Sequence, residues 1–96
     1  MQEVNVNEVP EGAQLIDVRE PDEFAEVRAK GAVNIPMSEI VARTNELDQD
    51  RDIYVICKLG GRSAKVQEYL DQRGIESINV AGGTEGWVAA GLPTEA

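Results

Sequence analysis

The chain has 96 residues, 42% of them hydrophobic and 28% charged, a balance that predicts a single globular domain over residues 1–96. Its net charge of -9 argues against a general surface for nucleic acid or for an anionic membrane. The N-terminal residues lack the basic and apolar segments of a signal peptide, and no apolar run is long enough to span a membrane, so a cytoplasmic location is expected.

Short apolar runs alternate with amphipathic stretches, which predicts strand and helix units around a mostly parallel sheet. The first run, AQLIDV at residues 13–18, is predicted as a buried strand interrupted by Asp17. Pro21 and the acidic residues around it favour the start of a short helix. The next run, AVNIP at residues 32–36, predicts a short strand that ends at its proline.

The middle of the chain carries a second helical segment and the most apolar run. Ser38 is predicted to open the helical segment, which extends to about Glu46. The run at residues 53–56, IYVI, has the continuous apolar character of a central strand covered on both faces. The following helix is predicted to end at Gly74, with Ile75 folding back onto the last turn.

The last third of the chain predicts one more strand and helix. The segment SINVAGG at residues 77–83 is predicted as a strand that ends in a tight glycine turn. The segment TEGWVAAG at residues 84–91 predicts a short helix that Thr84 caps and Gly91 ends.

Cys57 is the only cysteine, and it stands between the predicted central strand and the sequence Lys-Leu-Gly-Gly-Arg at residues 58–62. A single cysteine suits a reducing compartment. Because the chain has no histidine, a Ser-His-Asp triad, a Cys-His dyad and a zinc site with histidine ligands are all excluded. In a parallel sheet this turn lies at the carboxyl ends of the strands, where ligands usually bind.

The glycine pair after Cys57 favours a reactive thiol. Gly60 and Gly61 permit backbone angles that turn successive N–H groups inward, and the following helix adds its positive end. This setting lowers the pKa of a cysteine below its usual value of about 8.5, so Cys57 is expected to be mostly thiolate. The alternative is a small buried apolar residue, which is the usual role of a free cysteine.

The spacing between Cys57 and Arg62 separates two kinds of anion site. Phosphate-cleaving cysteine enzymes place five residues between the cysteine and the arginine, whereas this chain has four. The loop is one residue too short for a phosphate.

The stretch Cys57–Arg62, followed by Ser63, resembles the active-site loop of the rhodanese-like sulfurtransferases. LIDVREPDEF, GAVNIP and VAGGTEGWVAAGLP are similar, in the same order, to further segments of that family. The resemblance implies a three-layer α/β fold with about five mostly parallel strands flanked by helices on both faces. It also implies a sulfurtransferase of the thiosulfate type, with no cofactor and no metal.

The resemblance assigns a role to each residue of the loop. Cys57 would be the nucleophile that carries a persulfide, and the amides of residues 59–62 would hold it, next to Ser63. Lys58 would help an anionic donor to dock, while Arg62 would either support the anion or brace the turn. The residues that would bind substrate are Lys58, Leu59, Gly60, Gly61, Arg62 and Ser63.

The same resemblance predicts the partners. The donor would be thiosulfate or another sulfane sulfur compound, and the acceptor a thiol, cyanide or a sulfur-acceptor protein. Since the charge of -9 repels thiosulfate at long range, we expect thiosulfate to be a slow surrogate for a persulfide donor. No unexplained apolar stripe remains once the core is assigned, so a monomer is expected.

Two further features concern the support of the loop. Asp17 interrupts an apolar strand, and a structural role with Arg19 is favoured over that of a general base. The residues Val-Arg-Ala-Lys at 27–30 replace the Gly-His-Ile-Pro that is common in the family, which affects local packing and the choice of partner more than the reaction.

Two other functions compete with sulfur transfer. The first is a binding or regulatory module that keeps the fold with little catalysis. The second is a phosphatase or arsenate reductase that uses the same thiolate, which the loop length disfavours.

Overall fold

The apolar runs of the sequence form the strands of one twisted sheet, and the amphipathic stretches form its covering helices. A computed structural model describes residues 2–96. The strands are β1 (Gln2–Asn5), β2 (Gln14–Asp17), β3 (Arg28–Ala29), β4 (Val33–Asn34), β5 (Ile53–Ile56), β6 (Ile78–Ala81) and β7 (Thr94–Glu95). The α-helices are α1 (Pro21–Glu26), α2 (Gly61–Gln72) and α3 (Gly83–Ala89). Three short 3-10 helices lie at Val6–Glu8, Met37–Glu39 and Thr44–Glu46.

Five strands form the main sheet in the order β1-β6-β5-β2-β4, and every neighbouring pair is parallel. The predicted central strand, β5, lies in the middle, and all four of its residues are buried. This confirms the prediction of a mostly parallel sheet of about five strands. A second, two-stranded sheet pairs β3 with β7 antiparallel.

Both faces of the main sheet are covered, which confirms the predicted three layers. Side chains of α2 cover one face, and Trp87 of α3 packs on the other. The first apolar cluster comprises Ile16, Val18, Ile35, Ile40, Leu47, Ile53, Val55, Cys57, Val66 and Leu70. The second comprises Val6, Leu15, Ala29, Tyr54, Ile56, Ile78, Val80 and Trp87.

Two of the predicted helices, those that precede Gly74 and Gly91, end as expected. Gly74 has a φ of +76°, and the N–H of Ile75 donates to the carbonyl of Leu70 at 2.9 Å. Gly91 has a φ of +72° and follows α3, with its N–H donating to Val88 at 3.0 Å. Glycine is favoured at both positions because the left-handed conformation carries no Cβ penalty there.

Two sequence predictions are wrong in detail. The segment 38–46 does not form one helix, because it holds two 3-10 turns that bury Ile40 against the sheet. Thr84 does not cap α3; that position belongs to Gly82, at a φ of +85°. The hydroxyl of Thr84 instead donates to the carbonyl of Cys57 at 3.1 Å. Among residues 2–96, no helix is long and apolar enough to cross a membrane.

Candidate active site

Cys57 directly follows the central strand and lies at the carboxyl edge of the sheet. The strands β2, β5 and β6 all end at this edge because they are parallel neighbours. Their following segments are tied together, since the N–H of Val18 donates to the carbonyl of Ile56 at 2.9 Å and the N–H of Thr84 donates to the carbonyl of Cys57 at 2.8 Å. Only 1% of Cys57 is exposed, so the thiol sits at the bottom of a closed turn.

Hydrogen-bond donors surround the sulfur of Cys57. The N–H of Gly60 lies 3.0 Å from Sγ, and the hydroxyl of Ser63 lies 3.3 Å from it. Burial acts to raise the pKa of the Cys57 thiol, but the hydroxyl and amide of Ser63 and the amides of Gly60 and Leu59 outweigh it. The net result is a pKa below that of an ordinary thiol, as the sequence predicted.

The backbone at Gly60 produces this arrangement. Gly60 has a φ of +119°, which side chains other than hydrogen rarely permit, and it immediately precedes α2. The chain therefore reverses after Leu59 and brings the first turn of α2 against the sulfur. Of the predicted glycine pair, Gly60 supplies this backbone angle, whereas Gly61 has no positive φ.

A second glycine turn holds the first from behind. The N–H groups of Thr84 and Glu85 donate to the carbonyls of Cys57 and Lys58 at 2.8 and 3.1 Å. A Cβ atom on Gly83 would overlap the carbonyl oxygen of Lys58 and lie 2.5 Å from that of Cys57. Only glycine therefore fits this close approach of two backbones.

Arg62 faces a carboxylate, not the sulfur. Its Nη1 and Nη2 lie 2.7 and 3.0 Å from the two oxygens of Glu23, and both side chains are about one third exposed. The guanidinium lowers the pKa of Glu23 to about 2, against the opposing effect of burial. Of the two roles predicted for Arg62, this pair supports bracing, because it ties the start of α2 to α1.

Lys58 and Leu59 form the exposed lip of the turn. The side chain of Lys58 is 59% exposed, and its Nζ lies 3.9 Å from a carboxylate oxygen of Glu85. Such a long, exposed ion pair leaves the ammonium available to solvent and ligands. Lys58, Glu85 and Val88 also line a shallow cavity of 460 Å³ beside the loop.

The buried pair of Asp17 and Arg19 shapes the neighbouring turn. Both carboxylate oxygens of Asp17 accept hydrogen bonds from Arg19, the closest at 2.8 Å from Nη2. The same guanidinium donates to the carbonyl of Val27 at 2.7 Å. Because Arg19 uses a backbone carbonyl there, the unusual side chains at residues 27–30 leave this contact intact. Asp17 therefore has the contacts of a structural carboxylate.

Sequence reasoning missed two polar partners of the loop. Asn79 is 3% exposed in β6, and its Oδ1 lies 2.5 Å from the hydroxyl of Ser63. Its signal was an amide within an apolar strand, the same signal that singled out Asp17. Glu23 was interpreted only as part of an acidic helix start, and its pairing with Arg62 joins residues far apart in the chain.

The chemistry available to this arrangement is that of a stabilised thiolate. Backbone amides, with a hydroxyl that can rotate to donate, converge on one sulfur in a site that excludes water, and no histidine is needed to remove its proton. Within residues 2–96, no group of three or more His, Cys, Asp or Glu side chains is placed to hold a metal ion.

Known proteins resemble this chain over most of its length. Residues 3–90 match the model of the rhodanese-like domain. The proposed sulfurtransferase YtwF of Bacillus subtilis is 42% identical over 80 residues, which cover 83% of this chain and 78% of that protein. The thiosulfate sulfurtransferase GlpE of Actinobacillus succinogenes is 35% identical over 86 residues, which cover 88% of this chain and 78% of that protein.

The likeness extends to solved structures. A rhodanese-related protein of Thermoplasma volcanium superposes with a TM-score of 0.92 at 33% identity. The superposition covers 99% of this chain and 98% of that one. The resemblance therefore includes nearly the whole scaffold.

Proposed function

The chain belongs to the family of rhodanese-like domains, and we propose that it is a sulfurtransferase that carries sulfur as a persulfide on Cys57. Relatives that are named as sulfurtransferases support rhodanese-type sulfur transfer in general. The observation that carries the proposal for Cys57 is the cradle of donors around Sγ, with Gly60 N–H at 3.0 Å and the Ser63 hydroxyl at 3.3 Å. Such a cradle favours an anionic sulfur at this position.

The first half of the proposed cycle loads the sulfur. The thiolate of Cys57 attacks the outer sulfur of thiosulfate, and a new bond forms between the two sulfurs. The bond to the inner sulfur of thiosulfate breaks, and sulfite leaves with its electron pair. Total charge is unchanged, because the negative charge of the thiolate reappears on the outer sulfur of the persulfide.

The second half of the proposed cycle transfers the sulfur from Cys57 to the acceptor. An acceptor thiolate or cyanide attacks the outer sulfur, and Cys57 leaves as the thiolate with the electron pair of the broken bond. Since Cys57 is 1% exposed, an acceptor reaches the transferred sulfur more easily than it reaches Sγ itself. That sulfur extends about 2 Å beyond Sγ toward the mouth of the loop, where an acceptor can reach it.

Thiosulfate serves in this proposal as a surrogate donor, although one relative is named as a thiosulfate sulfurtransferase. The protein has a net charge of -9, which repels a dianion at long range. Lys58 lies at the lip and attracts anions only within about 8 Å at physiological salt. We therefore propose a low-molecular-weight or protein persulfide as the preferred donor. Turnover of thiosulfate near the diffusion limit and insensitive to salt would argue against this preference.

The remaining features of the proposal concern the setting of the reaction. The acceptor is a thiol, cyanide or a sulfur-acceptor protein, and the loop lip with Lys58 and Leu59 is the surface that such a partner meets. We propose that residues 1–96 act as one domain, as a monomer, in the reducing environment of the cytoplasm.

The test is mass spectrometry of the intact protein after exposure to thiosulfate or to a small persulfide. Because Cys57 is the only cysteine, any persulfide is located without digestion. We expect a gain of one sulfur atom, its loss on addition of cyanide, and no gain in Cys57→Ser. The same samples assayed with an aryl phosphate should show no phosphate release.

The outcomes separate the competing functions. Absence of any sulfur gain with either donor would overturn the proposal and favour a binding module with the same fold. Phosphate release that depends on Cys57 would favour a phosphatase instead.

A further inference from the structure

Ser63 and Asn79 form a buried polar pair beside the sulfur of Cys57. Ser63 is fully buried in α2, and Asn79 is 3% exposed in β6. The Ser63 oxygen lies 3.3 Å from Sγ of Cys57, 3.2 Å from the carbonyl oxygen of Gly60 and 2.5 Å from Oδ1 of Asn79. A hydroxyl carries one proton, so these three acceptors compete for it.

The amide of Asn79 has a defined orientation. Its Nδ2 faces two acceptors, a carboxylate oxygen of Glu3 at 3.3 Å and the carbonyl oxygen of Gly60 at 3.4 Å. A nitrogen is required on that side, because an oxygen there would face two other oxygens. The oxygen of the amide therefore points to Ser63, and only the Ser63 proton can fill the 2.5 Å gap between the two oxygens.

The short distance between the Ser63 oxygen and Oδ1 of Asn79 determines which acceptor receives the Ser63 proton in the resting protein. An O–H···O contact of 2.5 Å lies at the short end of the range for hydrogen bonds, whereas the contacts to Gly60 and to sulfur are longer. The Ser63 proton thus points to Asn79, and a lone pair of Ser63 is left to accept the S–H of Cys57. This orientation of the Ser63 hydroxyl suits a neutral thiol, whereas the N–H of Gly60, 3.0 Å from Sγ, favours the thiolate.

A thiolate needs the opposite arrangement. When Cys57 loses its proton, the Ser63 hydroxyl stabilises Sγ only by rotating its proton away from Asn79. Oδ1 of Asn79 is then left buried without its donor, which is unfavourable. When sulfur transfer moves the charge from Sγ to the outer sulfur, the hydroxyl can return to Asn79.

We propose that Asn79 is a positioning residue that holds the Ser63 proton away from Sγ and so favours the thiol and the loaded persulfide over the free thiolate. Asn79 does not touch the reacting sulfur itself and acts through Ser63. The role of Asn79 in catalysis rests on the proposed function, whereas its effect on the protonation of Cys57 does not. No feature of the loop motif alone points to Asn79.

Several charged side chains surround this network and remain the same in all the variants below. They are Glu3 beyond Asn79, Arg62 with Glu23, Lys58 with Glu85, and the buried Asp17 and Arg19. A difference between variants therefore cannot come from replacing one of these charges.

The test is the pH profile of Cys57 alkylation by iodoacetamide, a neutral probe that requires no sulfur donor. We expect Asn79→Ala to move the midpoint to lower pH by about one unit, the worth of one hydrogen bond. The rate at high pH should fall about threefold, because a thiolate of lower pKa is a weaker nucleophile. Ser63→Ala should move the midpoint upward.

The double variant Ser63→Ala/Asn79→Ala isolates the mechanism. If Asn79 acts through the Ser63 proton, removing Asn79 has no further effect once Ser63 is absent. Ser77→Ala is the matched control, since Ser77 is also buried beside β6 and its hydroxyl has no partner among the described residues. It should leave the midpoint unchanged.

Two outcomes would overturn the inference. One is an upward or absent shift in Asn79→Ala, and the other is a downward shift that persists in the Ser63→Ala background. Asn79→Val keeps a side chain suited to a strand and lacks the acceptor, so it replaces Asn79→Ala if that variant fails to fold. A midpoint shift in a protein that forms no persulfide would support this inference while rejecting the proposed function.

Discussion

The two glycine turns at the carboxyl edge of the sheet use their backbones in opposite ways. The turn between β5 and α2 directs amides at the sulfur of Cys57, with Gly60 N–H at 3.0 Å. The turn between β6 and α3 directs its amides at the carbonyl groups of Cys57 and Lys58. The first turn therefore contacts the sulfur of Cys57, and the second fixes the first.

The two turns also differ in the space available beside their glycines. A Cβ atom on Gly61 meets nothing within 4 Å, whereas one on Gly83 overlaps the backbone of the cysteine loop. A glycine pair in the sequence thus does not by itself distinguish a ligand cradle from its support. Substitutions at the two turns should separate stability from reactivity.

The largest effect is expected at the supporting turn. Gly83→Ala should lower the free energy of unfolding by about 3 kcal/mol, because the new methyl group meets two carbonyl groups and the φ of +58° adds strain. Urea denaturation measures this loss. Sulfur loading should fail as well once the backbone of Cys57 is displaced.

Gly91→Ala is the matched control for that substitution. Gly91 also has a positive φ, of +72°, but an added Cβ meets nothing within 4 Å. Gly91→Ala should lower the free energy of unfolding by about 1 kcal/mol, the cost of a left-handed alanine alone. Equal losses at positions 83 and 91 would show that the close approach of the two turns carries no energy.

A smaller effect on stability but a clear one on reactivity is expected at the cradle. Gly60→Ala forces a side chain into a φ of +119° and should rotate the amide that lies 3.0 Å from Sγ. We expect the rate of persulfide formation to fall about tenfold, less than the loss of a whole oxyanion donor. Single-turnover mass spectrometry measures this rate.

Gly61→Ala provides the comparison within the same turn. Gly61 has no positive φ, and its added Cβ is free of contacts, so alanine should raise helix stability by about 0.5 kcal/mol. The rate of loading should stay within about twofold of the wild type. Single-turnover kinetics distinguish such a change from the tenfold loss expected for Gly60→Ala. A large loss at position 61 would contradict the different roles of the two glycines.

The smallest effect is expected at the brace. Glu23→Gln breaks the bidentate pair with Arg62 and should cost about 1 kcal/mol at neutral pH. The pKa of Glu23 is lowered from 4.5 to about 2, so the stabilisation is present above pH 4.5 and is lost as the pH falls through about 2. The difference between wild type and variant in urea denaturation should therefore shrink across that window.

Glu26→Gln is the control on the same helix, because Glu26 is exposed. It should show no comparable difference in that pH window. A constant difference between wild type and Glu23→Gln down to pH 2 would mean that Glu23 acts through packing and not through its charge.

Strands with strong local signals were predictable from the sequence. The β5 run of Ile53–Ile56 is apolar throughout, and it forms the centre of the sheet. Gly74 and Gly91 mark helix ends because left-handed backbone favours glycine there. The order of the loop motif within a parallel sheet also predicted that the cysteine loop lies at the carboxyl edge, since that position follows from topology.

Elements that depend on long-range pairing were not predictable. The edge strand β1 (Gln2–Asn5) is mostly polar and exposed, and only its pairing with β6 makes it a strand. The same holds for β3 and β7, which have two residues each and are strands only because they pair with each other. Local propensity carries too little information for such short segments.

The supporting contacts of the site were hidden for a related reason. Thr84 resembles a helix cap in the sequence, but its hydroxyl binds the carbonyl of Cys57, 27 residues away. Glu23 satisfies the start of α1 through the N–H of Glu20 and also holds Arg62. A residue with one sufficient local role gives no sign of a second, distant one.

The central claim is that sulfur passes through Cys57, and tracing one sulfur atom tests it most directly. Thiosulfate labelled at its outer sulfur is mixed with the protein, unreacted donor is removed, and cyanide is then added. We predict that the label appears on Cys57 and then in thiocyanate, in an amount equal to that of the loaded protein, while the released sulfite carries none. Label that never resides on the protein, or thiocyanate formed equally well by Cys57→Ser, would contradict the account.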